Sequence, residues 1–344
     1  MNSKNIFLNS CLNKKTPRTP VWIMRQAGRY LPEYRKIRSK NTFHEMMHNP
    51  DIMEEVTLLP LNRYKFDAAI MFSDILVIPE SLGMQFELIP SVGPVFEKTF
   101  SRYDSISSLS FDENYFNNIY SGIKQIKKKL NNEKALIGFS GSPWTIACYM
   151  VEGKPSKDYR NLRSLIYEDP NTYHQLMTKL TDSIITYVKG QINAGVDVIQ
   201  IFDTNASYLS KENFEKFSFP YLKRIIKEIN DTKTPSILFV KGGGYWLDLL
   251  KDVNTNVLGI DWTIPIKYAR EILKDDVSIQ GNLDPSVLLA PNSVIELEVK
   301  KILKSYGSGY RHIFNLGHGI TPDIPLEAVQ TVIETVHRES PKYK

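Results

Sequence analysis

The chain has 344 residues, 42% hydrophobic and 24% charged, enough for one large or two ordinary globular domains with an ample core. It has no run of 18 or more apolar residues, which argues against a spanning helix. A net charge of +5, from 43 Lys+Arg against 38 Asp+Glu, suits attraction of an anionic metabolite but falls short of a nucleic-acid binder.

The first twenty residues hold Lys4, Lys14, Lys15 and Arg18 and lack the apolar stretch of a secretory signal, so residues 1–20 read as a short flexible leader. The two cysteines, Cys11 and Cys148, cannot build a disulfide framework and fit a reducing, cytoplasmic compartment. Arg25-Gln26-Ala27-Gly28-Arg29 follows, where Gly28 and Pro32 break a regular helix and favour a tight loop. Two guanidinium forks beside a glycine suit a ligand bearing several carboxylates or phosphates. Taken alone, the pair reads as a solvated basic loop.

His44-Glu45-Met46-Met47-His48 matches the zinc-protease pattern of two histidines one turn apart with a glutamate base. Asn49-Pro50 interrupts it at once, a third ligand would have to come from Asp51, Glu54 or Glu55, and the pattern is set aside. From about residue 66 onward, short apolar runs alternate with helical patterns. The strand candidates are Ala68 to Phe72, Ala135 to Phe139, Val196 to Phe202, Ser236 to Val240, Val257 to Ile260, Val277 to Gln280 and His312 to Phe314. The clearest helix runs from Tyr173 to Ile192, with Leu176, Leu180, Ile184, Val188 and Ile192 every fourth residue. Met84 to Leu88 alternates apolar and polar residues and reads as part of a small hairpin.

This rhythm predicts a parallel sheet covered by helices: a single (β/α)8 barrel over residues 1–344, with one strand irregular or hidden near the N-terminus. An open doubly wound sheet is the alternative. In a barrel, strand ends share one rim, which brings Asp74, Asp203, Thr204 and His318 to a common mouth. Asp74 sits among apolar neighbours and needs donors if buried; its plainer reading is a helix N-cap. Tyr149 alone reads as a core aromatic, and Cys148 beside it as structural. His318 lies between Gly317 and Gly319, an arrangement that exposes the ring and relaxes the backbone for ligand contact. Lys241-Gly242-Gly243-Gly244 lacks P-loop spacing and reads as a sharp turn after a strand.

Met24 to Arg35, Asp67 to Pro79, Gly138 to Thr145, Tyr149 to Gly153, Gly259 to Thr263, Gln280 to Pro285 and His312 to Ile320, in that order, make the chain resemble the uroporphyrinogen decarboxylase family. The resemblance spans Trp22 to His337. It implies a (β/α)8 barrel, usually a homodimer, that converts uroporphyrinogen III to coproporphyrinogen III by loss of four carboxyl groups with no metal and no other cofactor. It assigns substrate binding to Arg25, Gln26, Ala27, Gly28, Arg29, Asp74, Tyr149, Thr204 and His318, with Asp74, Arg25 and Arg29 taking part in catalysis. Neither a nucleic acid nor a membrane is implied as a partner. One stretch departs from the pattern: Asn205-Ala206-Ser207 stands where many members carry a tryptophan and glycines. Two other readings use the same scaffold. Methyl-transferring relatives hold zinc on cysteine and histidine, and a tetrapyrrole carrier would keep the arginine clamp without needing Asp74.

Overall fold

A computed structural model describes residues 1–274 and 276–344. Among the described residues nine strands form: β1 (Ala68–Ile70), β2 (Phe86–Ile89), β3 (Gly93–Phe96), β4 (Ala135–Gly141), β5 (Val198–Asp203), β6 (Ser236–Val240), β7 (Val257–Gly259), β8 (Ser278–Leu283) and β9 (His312–Leu316). Seven of them make one parallel sheet in the order β1-β4-β5-β6-β7-β8-β9. β2 and β3 form the expected hairpin apart from it, with Phe86 opposite Phe96. Every residue of β1, β4, β6, β7, β8 and β9 is buried, as parallel strands covered on both faces should be.

The sheet is curled. Gln280 on β8 donates from Nε2 to Gln200 Oε1 on β5 at 3.3 Å, and accepts from Trp22 Nε1 at 2.9 Å. In a flat sheet, strands three places apart lie about 14 Å from one another, so these side chains meet only across a concave interior. The free edges are joined by a short extended segment. Trp22 N donates to Phe314 O (3.3 Å) and Phe314 N to Pro20 O (2.8 Å) on one side, while Asp67 N donates to Val21 O (2.9 Å) on the other. Arg18 locks this junction with two bonds to the buried Asp67 carboxylate, at 2.7 and 2.6 Å.

The helix expected over Tyr173 to Ile192 spans Pro170–Ala194. Asp169 caps it by accepting from Thr172 N, Pro170 opens it, and Gly195 ends it in the left-handed conformation at φ 113°. Its stripe of Leu176, Leu180, Ile184 and Val188 is buried against the sheet.

Residues 1–20 are not a loose leader. Ser3–Cys11 is a helix capped by Asn2, with Ile6, Phe7 and Cys11 buried. It sits at the N-terminal ends of the strands, where Lys4 N donates to Glu133 O (2.8 Å), Lys4 pairs with Asp197 (2.9 Å) and Ser278 Oγ donates to Ser10 O (2.7 Å). Its apolar stripe covers only two turns and so gives no recognisable period in the sequence. Among the described residues, no helix is long and apolar enough to cross a membrane.

Candidate active site

The opposite rim, at the C-terminal ends of the strands, collects the chemistry. The Arg25 loop leaves the segment that joins β9 to β1 and is tied to both neighbours. Met24 N donates to Asn315 Oδ1 at 3.0 Å, and Ile320 N donates to Met24 O at 3.0 Å. Arg25 itself holds φ at +63°, an uncommon state for a residue with a side chain. Gln26 is fully buried and acts as a strut, donating to Ala68 O (3.2 Å) and accepting from Ile23 N (3.3 Å). Its side chain is therefore committed to the scaffold, so any ligand contact by Gln26 falls to its backbone. Ala27 packs partly against the core.

Gly28 is needed because a Cβ there would lie 2.8 Å from the carbonyl oxygen of Arg25. The glycines around His318 serve space rather than backbone freedom. A Cβ at Gly319 would lie 2.4 Å from Arg25 Cδ, and one at Gly317 would lie 2.5 Å from Trp262 N. The Arg25 side chain thus lies across Gly319, beside the imidazole. Both Arg25 and Arg29 are exposed.

Asp74 follows β1 in a loop where Leu76 N donates to its Oδ1 at 2.8 Å. It does not cap the next helix, Val77–Ser81, whose N-cap is Leu76. Part of its surface stays open, yet surrounding protein strips its solvation and burial pushes its carboxyl upward; Leu76 N and the Arg25 charge offset this in part. Among the described residues it forms no ion pair. The anion is therefore short of donors.

Tyr149, half-buried in the helix Pro143–Glu152, feels both Asp74 and Arg25; burial raises its phenol, helped by Asp74. His318 lies 6.2 Å from the Phe239 ring, and burial followed by the charges of Arg25 and Lys241 pushes it down to about 4. It is a neutral imidazole at pH 7. Tyr34 also joins this group, raised chiefly by burial and acted on by Arg29 and Asp74. Thr204 is half-buried just past β5. The atypical residues after it are well anchored: Trp144 Nε1 donates to Asn205 O (2.9 Å) and Asn205 N donates to Thr145 Oγ1 (3.1 Å).

The structure places Asp74, Arg25, Tyr149 and His318 in one electrostatic neighbourhood, with Arg29 reaching it through Tyr34. Lys241 belongs there too and escaped sequence reasoning, which took its glycines for a plain turn. Asp261 pins that turn, accepting from Gly242 N at 2.5 Å and from Thr263 N at 2.8 Å. A cation placed directly after an apolar strand was the available signal. Asp203, by contrast, is a knot in the scaffold. It is fully buried, accepts from Ser142, Thr145 and Ser218, and is pushed by burial up to about 6.

Comparison with known proteins gives the family. The model of the uroporphyrinogen decarboxylase family matches residues 2–339. The chain belongs to this family. Among relatives named uroporphyrinogen decarboxylase, that of Methylococcus capsulatus is 44% identical over 343 residues, covering 98% of each chain. That of Legionella pneumophila is 43% identical over 346 residues, covering 99% of this chain and 98% of its own. A solved methyltransferase from Methanosarcina mazei superposes with a TM-score of 0.84 over 98% of this chain and 99% of its own, at 19% identity, a likeness of fold.

The zinc-protease pattern dissolves in the structure. Glu45 completes a capping box, its Oε2 accepting from Thr42 N (2.6 Å) and Thr42 Oγ1 (2.8 Å), so it serves the helix Phe43–His48 and not a water. His44 and His48 face a different carboxylate, Glu80, which is pushed up to about 7 first by burial and also by the charge of Asp74.

Proposed function

We propose that this protein decarboxylates the four acetate side chains of uroporphyrinogen III to give coproporphyrinogen III and CO2, in porphyrin and haem biosynthesis. One observation carries the reading: a donor-starved carboxylate, Asp74, held beside Arg25 at the rim of a curled parallel sheet. Near-full-length identity to named decarboxylases supports it.

The chemistry accounts for the residue types. Loss of CO2 from a pyrrole acetate leaves an electron pair on the side-chain carbon. Protonating the ring carbon beside the acetate makes the pyrrole a cationic electron sink, so no other cofactor is called for. The released pair neutralises that cation as an exocyclic C=CH2. The methylene then takes up a proton to become methyl, and the ring carbon gives back the proton it had gained, which restores the aromatic ring. Asp74 accepts from the pyrrole N–H groups at the macrocycle's centre, gaining the donors it lacks, and stabilises the cation as it forms. Arg25 and Arg29 grip the peripheral carboxylates, with Lys241 adding a third positive charge. Neutral His318 and the Tyr149 phenol offer directional bonds to the same carboxylates, Thr204 offers a hydroxyl, and the backbone of Ala27 and Gly28 lines the clamp.

The finer reading of the fold is a closed (β/α)8 barrel within one domain, with residues 20–22 as a short eighth strand. The bonds on both sides of Val21 support it. Two copies forming a dimer in the cytoplasm complete the reading, on the strength of the family. The methyl-transfer alternative has fold alone on its side, since both cysteines are buried and burial raises both thiols.

The test is incubation with freshly reduced uroporphyrinogen, followed by chromatography of the oxidised products. Stepwise appearance of species with seven to four carboxyls is expected. Unchanged substrate with protein that is folded would discard the assignment.

A further inference from the structure

We propose that His44, His48 and Glu80 form a binding site for a divalent transition ion of the Zn²⁺ class, beside the Asp74 loop and separate from the decarboxylation chemistry. One ligand atom from each residue falls within 4.8 Å of the other two. His44 and His48 stand one turn apart on the helix Phe43–His48, their rings stacked with centroids 4.3 Å apart. Glu80 comes from the next helix, Val77–Ser81, is buried, and presents Oε1 to His44 Nε2 at 3.9 Å. None of the acids close in sequence (Asp51, Glu54, Glu55) supplies this third group.

The two carboxylate oxygens have different surroundings. Tyr115, from the turn Glu113–Phe116, donates its hydroxyl to Glu80 Oε2 at 2.6 Å, and the same hydroxyl lies 2.8 Å from His48 Nε2. This leaves Oε1 open toward the histidines. Tyr115 would then act as the outer partner that orients a one-oxygen carboxylate ligand. Among the described residues, no lysine or arginine pairs with Glu80. Two imidazole nitrogens and one carboxylate oxygen form a donor set suited to zinc and its neighbours rather than to calcium or magnesium.

Bonds of 2.0–2.1 Å in a tetrahedron put ligand atoms about 3.3 Å apart, so the widest separation must shrink by about 1.5 Å. His44 can swing to close that gap, because its side chain is 57% exposed. The same exposure opens a path for the ion and leaves a fourth position for water. A bound ion would staple three segments (Phe43–His48, Val77–Ser81 and Glu113–Phe116) along one flank of the rim.

The experiment uses the full chain, dialysed against chelator and titrated with Zn²⁺ alone by calorimetry, with melting curves in parallel. One ion per chain and a higher melting temperature are expected. His44→Ala should lower affinity at least tenfold without disturbing the fold, as its side chain is largely in solvent. Tyr115→Phe should lower affinity by about 10- to 100-fold. Metal-free His44→Ala should decarboxylate as the parent does, which keeps this result distinct from the fate of the proposed activity. Absence of saturable binding overturns the site. Binding that persists undiminished in both His44→Ala and His48→Ala places the ion elsewhere and overturns it equally.

Discussion

Replacing Asp74 by Asn keeps the side chain's shape and removes its charge. At an effective dielectric near 20 and ~4 Å, the lost attraction to a pyrrole cation is roughly 4 kcal/mol. If that attraction acts mainly in the transition state, kcat falls about a thousandfold while the melting temperature holds. Full turnover by Asp74→Asn would end the cation-stabilising role. Arg25 allows a second, independent check. Arg25→Ala removes a charged hydrogen-bond donor worth about 1.5–3 kcal/mol and should raise KM about tenfold or more. Gly319→Ala should do the same without touching a polar group, since its Cβ would sit 2.4 Å from Arg25 Cδ and push the guanidinium aside. Unchanged KM in Gly319→Ala would mean that the arginine's position does not matter. The sequence pointed to Asp74 and His318 through their unusual neighbours, and to Arg25 and Tyr149 through the family resemblance. It could not show that Gln26 turns inward, because a glutamine in a loop has the same local pattern whether it faces backbone or ligand.

At the scale of elements, the segment 20–22 and the Arg18–Asp67 pair hold the two edges of the seven-stranded sheet together. Asp67 is fully buried and Arg18 partly so, so Arg18→Ala takes the main partner from a buried anion and should cost about 3 kcal/mol, read from denaturant melts. A loss under 1 kcal/mol would show that the junction is not under load. The pair also sets an acid limit. Burial alone would raise Asp67, but the bonds from Arg18 and the nearby His337 outweigh it and bring it down from 3.8 to about 2. A depressed carboxyl stabilises the fold fully above the unfolded value. That contribution, about 2–3 kcal/mol, fades as pH falls from about 4 through 2. The advantage of the parent over Asp67→Asn should therefore shrink across that window and stay flat from pH 5 to 8. Neither device is visible as a strand in the sequence. Three extended residues and a salt bridge across 49 positions have no period to detect, and the short stripe of Ser3–Cys11 escaped for the same reason.

For the whole molecule, the alternation of apolar runs and helical stripes was enough to call for a parallel sheet between helices. The curl was not written in any one strand. It shows in Gln200 and Gln280, two buried amides that would be costly in a flat apolar core and that meet across the interior, Gln280 donating to Gln200. Association is the remaining question at this scale. Tyr245 and Trp262, exposed on the loops after β6 and β7, leave aromatic surface on the rim. Light scattering after gel filtration should return a mass near twice the 39.5 kDa of one chain. A single-chain mass at every concentration would remove the dimer from the proposal.

Local chemistry, read along the chain, determined the family, the order of strands and helices, and which side chains were worth watching, because periodicity and motif are properties of neighbours. Tertiary structure decided the rest. It brought the Arg25 loop over Gly319, added Lys241 to the rim and turned Gln26 into a strut. It also gave His44 and His48 a carboxylate more than thirty positions away. Such pairings depend on how the sheet closes in space, and separation along the chain carries no record of that.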